Sequence, residues 1–148
     1  MQSLVNRAEG AATTATNAVT VTAQLPTLGS ELAGGKYAGT TTDHTGATYA
    51  LIVLDETPNT EDKTLTWADA LAWAESLSAQ LPSRAEAAML FANLKIEFEE
   101  DAHWTRDEYS APYAWCQDFY DGLQYVSRKS NELCARAVRR LPVNPSIL

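Results

Sequence analysis

Apolar residues return along this chain in two rhythms, and the switch between them marks its elements. Between Thr66 and Leu94 the spacing is helical. Trp67, Ala70, Leu71, Ala74 and Leu77 form one stripe, with Thr66 at the cap position and Asp69 three residues on. That is a close variant of the capping box, which satisfies free N–H groups at a helix start. Trp73 lies off the stripe's centre. After Leu81-Pro82 the device repeats with Ser83 as cap and Glu86 three residues later, followed by Ala87, Leu90, Phe91 and Leu94 on one face. Two helices of about three turns each are predicted.

Elsewhere the rhythm is that of strands. The β-rich runs at 36–39 and 48–54 flank Asp43-His44-Thr45-Gly46, which predicts a hairpin turning near Thr45-Gly46. Tyr113 to Phe119 and Leu123 to Lys129 flank Asp121-Gly122, a two-residue type I′ signal because that turn needs positive φ at both positions. The register that follows pairs Asp118 with Tyr125, Cys116 with Ser127 and Ala114 with Lys129. The other face pairs Phe119 with Gln124, Gln117 with Val126 and Trp115 with Arg128. Trp115, Phe119 and Val126 make the second face the expected core. A third run, 133–141, is expected to add a last strand before Pro142 and Pro145 end regular structure.

On this reading Asp118, Tyr120, Tyr125 and Lys129 face outward, with Tyr109 and Tyr113 beside them, as candidate ligand-binding residues. Tyrosines next to fixed polar groups suit recognition, since each offers a large rigid surface and a hydroxyl at low entropy cost. No nucleophile elbow, phosphate loop or metal motif orders the Ser, His and acidic residues, so no catalytic residue, metal site or cofactor is predicted. The acidic stretch EFEEDAHW at 97–104 lacks the spaced ligand pattern of a calcium loop and is expected to be a solvated helix end. His44 is expected on an exposed turn rather than as a ligand.

The 148 residues fit one domain, 26–148, preceded by an Ala/Thr-rich arm at 1–25 that is too poor in large side chains to form its own core. Thr20, Thr22, Val19 and Val21 give the arm a strand pattern that needs a partner, which makes a homo-oligomer or another protein its expected contact. A net charge of -8 argues against nucleic acid, whose affinity rests on cationic neutralisation. The charge is uneven: acids crowd 55–108, while Arg128, Lys129, Arg136, Arg139 and Arg140 make the end basic. No run approaches the roughly 20 apolar residues of a membrane span, and the start MQSLVNRAEG has no secretory pattern, so synthesis in the cytoplasm is expected. Cys116 and Cys134 are expected as reduced, packed thiols, the alternative being a disulfide between neighbouring strands.

Four stretches in fixed order, LTWADALAWAESL, LPSRAEAAMLFANL, HWTRDEYSAPYAWCQDFYDGLQ and ELCARAVRRL, resemble the Legionella collagen-like (Lcl) C-terminal domain family, in particular its short stand-alone forms encoded by phages and prophages. The likeness covers residues 26 to 143. It implies an α+β, C-type-lectin-like fold, two helices packed on a twisted antiparallel sheet, and a non-enzymatic module that binds a protein or surface-glycan receptor, as in virion and tail-fibre components. Arg106 departs from the small residue that family has after Trp-Thr, and the calcium signatures of sugar-binding lectins are absent. The alternative reading is a cytoplasmic phage accessory protein that blocks a host factor through the acidic 55–108 surface.

Overall fold

The computed structural model describes residues 25–144, and the predicted N-terminal arm lies outside them. Nine strands and two helices follow one another as β1 (Glu31–Leu32), β2 (Gly35–Thr42), β3 (Thr48–Leu54), β4 (Thr64–Leu65), α1 (Trp67–Ser76), α2 (Arg84–Leu94), β5 (Ala102–Glu108), β6 (Tyr113–Asp118), β7 (Gln124–Arg128), β8 (Leu133–Cys134) and β9 (Val138–Pro142). The class is α+β. The strands form two sheets rather than one: β1-β2-β3-β9 and β4-β8-β5-β6-β7, with β5 and β8 meeting in parallel.

Both helices start where their capping signals stand. Thr66 is extended and its hydroxyl accepts from the Asp69 N–H at 3.4 Å. Ser83 and Glu86 close a full capping box, with bonds of 3.1 and 2.8 Å. The Asp107 carboxylate also accepts from the Arg84 N–H at 2.7 Å, placing negative charge at the dipole's positive end. At the other end of α1 no basic residue lies in the last turn, and Arg139 of β9 supplies the missing cation by donating to the Leu77 carbonyl at 2.7 Å.

α2 lies between the sheets. Leu90 and Leu94 pack with Ala38, Leu51 and Val53 of the first sheet and with Phe98 and Phe119 beside the second. α1 covers the opposite face of the second sheet, where Ala70 and Ala74 meet Trp104, Ala114 and Cys116. Trp67, Leu71 and Leu77 of the expected stripe pack against that cluster, so the helical periodicity did mark the buried side. Ala50 and Ile52 of β3 face away from α2 under Tyr37, Leu25 and Leu32.

Three strand expectations are corrected. The run at 133–141 is not one strand: it breaks between β8 and β9, which belong to different sheets. Arg136 sits in the break, buried, with its guanidinium donating to the Leu54 carbonyl at 2.6 Å and the Glu97 carbonyl at 2.5 Å. β5 takes the place of the expected helix end, as a strand inside the second sheet. Its buried positions include polar His103 and Thr105, and a bulge between Trp104 and Glu108 interrupts its pairing with β6, so no alternation announces it. Between β6 and β7 the register is Gln117 with Gln124, Cys116 with Tyr125, Trp115 with Val126, Ala114 with Ser127 and Tyr113 with Arg128. This is two residues from the predicted pairing, so every side chain keeps its face while changing its neighbour.

Candidate binding surface

The slip originates in the loop. The Asp118 N–H donates to the Leu123 carbonyl at 2.8 Å and the Gly122 N–H returns to the Asp118 carbonyl at 2.7 Å, so residues 119–122 form the connection in place of a two-residue turn. Only Gly122 has positive φ there. A Cβ at Gly122 would also stand 2.7 Å from the Phe91 ring, so the position demands glycine twice over. Phe119 anchors the loop: its ring stacks on Phe98 at 4.2 Å between centroids, and its N–H donates to the Asp101 carbonyl at 3.1 Å. The Asp118 carboxylate accepts from the Tyr120 N–H at 2.7 Å, and that of Asp121 from the Leu123 N–H at 3.0 Å.

With the loop so pinned, the tip presents apolar surface. Tyr120 is 67% exposed, Leu123 64% and Tyr125 43%, and Tyr109, on the turn between β5 and β6, is 60% exposed. Leu123 immediately precedes β7, an edge strand that carries Tyr125. The Tyr125 hydroxyl is pushed up to about 12 by desolvation and by Cys116 beside it, so it remains a donor at neutral pH.

The other face of the same hairpin is a stack of rings and guanidiniums. Arg84, the first residue of α2, lies 3.6 Å over the Trp115 ring, whose edge meets Tyr109 at 5.6 Å. Arg128 lies 5.3 Å over Tyr113, its cross-strand partner. Gln124 fixes this side to the helix by donating to the Arg84 carbonyl at 2.7 Å and accepting from Arg84 Nε at 3.0 Å. Gln117 is buried and donates to the Ala87 carbonyl at 2.6 Å.

The six candidate residues therefore divide. Tyr109 and Tyr113 join the ring stack on the α2 side. Tyr120 and Tyr125 belong to the exposed tip. Asp118 and Lys129 do not face a ligand freely: Asp118 holds the loop, while Lys129 pairs with Glu108 and lies 4.7 Å over Trp67. The expected core face is corrected as well. Ala114 and Cys116, on the supposed outer face, are fully buried against α1, whereas Trp115 and Val126 are only half-buried. Both sides of β6 are covered because a helix lies on each, which a two-faced strand pattern cannot express. Arg84, Leu123 and Gln124 escaped the sequence reading, although an Arg at the first helical turn and an apolar residue after Gly122 were visible.

Cys116 and Cys134 are free and buried, and burial pushes each thiol up to about 11, so neither is a nucleophile at neutral pH. β5 lies between their strands. His44 is exposed on its turn. Among the described residues no three His, Cys, Asp or Glu side chains are placed to hold a metal ion, and no helix is long and apolar enough to cross a membrane. Six of the 13 acids of 55–108 pair with cations of the chain: Asp55 and Glu97 with Lys36, Glu99 with Lys63, Glu100 with Lys95, Glu108 with Lys129 and Glu86 with Arg140. Compared with models of known protein families the chain matches none, and no curated protein matches it.

Proposed function

We propose that this chain is a non-enzymatic ligand-binding module with a C-type-lectin-like arrangement, of the kind phages and prophages encode, and that it serves as a virion or tail receptor-binding component. The observation that carries the reading is the concentration of exposed large apolar residues. Of six among the described residues, Tyr109, Tyr120, Leu123 and Tyr125 fall in the segment from the end of β5 through β7. Single exposed apolar residues need no explanation, but three of these, Tyr120, Leu123 and Tyr125, on one braced hairpin support a contact surface. Tyrosines so held lose little entropy on binding a protein or glycan.

The alternative, inhibition of a host factor through the acidic surface, has weaker support because six of those 13 carboxylates already pair with cations of the same chain. Mass spectrometry of purified particles separates the two. Peptides of this chain in the particles, lost when the exterior is digested with protease, are the expected result. Absence from particles together with co-purification of a host enzyme overturns the proposal in favour of the alternative.

A further inference from the structure

A groove of about 470 Å³ runs between the end of α1 and β9, with Glu75, Ser78, Gln80, Arg139 and Arg140 on its walls. A second hollow of about 280 Å³ shares Glu75, Ala79 and Gln80 with it and adds Leu71, Leu81 and Arg106. Gln80 stands at the junction. Its side-chain oxygen accepts from Arg106 Nη1 at 3.0 Å and also from Arg140 Nη1, so two guanidiniums converge on one neutral acceptor. Arg140 is balanced by Glu86. Arg106 and Arg139 make no ion pair among the described residues, although the chain carries a net charge of -8.

We propose that the second hollow, at Arg106, binds a single carboxylate carried on an aliphatic body, such as the C-terminal end of a peptide. The exposed Arg106 guanidinium uses only Nη1 within the described residues, leaving its Nε–Nη2 edge as the fork that carboxylates match. Leu71 and Ala79 give the body an apolar wall. The Glu75 carboxylate lines both hollows and has no ion pair among the described residues, so it disfavours a multiply charged phosphate and leaves room for one negative charge. With acids in large excess overall, an anion has to be held by local donors rather than drawn by the field of the molecule. The hollow shares no residue with the aromatic hairpin and is a second site on the same module.

N-acetyl-leucine titrated into the ¹⁵N-labelled full chain, followed by NMR at the Arg106 Nε–H and Gln80 side-chain amide, tests this. N-acetyl-leucinamide and inorganic phosphate are run in parallel. The acid should give saturable shifts at both groups, the amide none, and phosphate a weaker response. Arg106→Gln should weaken the acid about tenfold, the scale of a charge-assisted bond. Glu75→Gln, which changes an exposed side chain, should tighten it about twofold. A non-saturating response, an equal response to the amide, tighter binding of phosphate, or unchanged affinity in Arg106→Gln would overturn the proposal.

Discussion

Two of the places where aromatic rings and charged groups meet use them in opposite ways. At Glu86 they point inward. Its carboxylate, 2% exposed, accepts from Tyr49 at 2.5 Å, from Arg140 at 2.6 and 2.7 Å and from the Ser83 N–H at 2.8 Å. Burial alone would raise its pKa, but the Arg140 guanidinium and the Ser83 N–H hold it below the usual carboxylate range. At the β6–β7 hairpin the rings face outward, and the polar groups serve the loop beneath them. One cluster ties a helix start to two strands of the first sheet; the other leaves surface uncovered. A buried, fully bonded network fixes structure, whereas a braced but uncovered one is available to a partner.

The largest effect that can break this contrast is expected from Glu86→Ala, which orphans the half-buried Arg140 and opens the capping box. Urea unfolding should show a loss of about 3–5 kcal/mol. A loss no larger than that of a surface change would mean the network is not structural.

The buried His103 gives the next largest. Burial pushes its imidazole down to about 4, while its Nδ1 stays bonded to the Asp101 carbonyl at 2.9 Å. The unfolded chain takes up this proton near pH 6.5, so the contribution is complete above that pH and falls as pH drops toward 4, by about 3 kcal/mol in all. Chemical denaturation at several pH values should trace that decline, and His103→Gln should flatten it.

Gly122→Ala sharpens the contrast from the hairpin side. The added Cβ meets Phe91 and an unfavourable φ, and should cost about 1–3 kcal/mol while displacing the tip. Arg84→Ala should be smaller, about 1 kcal/mol, because it removes one cation from an aromatic face and one bond to Gln124.

How much of this could be read in the sequence follows the same division between local and distant causes. α1 and α2 were legible because their caps lie three residues from their partners. That Glu86 also holds Arg140 was not, since 54 positions separate them. The hairpin was legible from Asp121-Gly122, but which face of its strands is covered was not, since a helix lies on each side of β6. Nor was the register, because Phe119 is drawn onto Phe98 and the turn must lengthen to allow it. β5 and the break at Arg136 were missed for one reason: buried polar side chains satisfied by distant carbonyls look like exposed ones in a linear pattern. At the candidate surface, the exposure of Tyr109, Tyr120 and Tyr125 was legible, and the groups that hold the loop were not.

The central claim is that the hairpin tip is for contact and not for stability. The most direct measurement is the Tyr120→Ala/Tyr125→Ala double variant, compared with the unaltered chain in urea unfolding and in binding of fluorescently labelled protein to host bacterial cells. The stability change should stay within about 1 kcal/mol, as for exposed positions, while binding is lost. Retained binding by a folded variant, or a large loss of stability, would contradict the account.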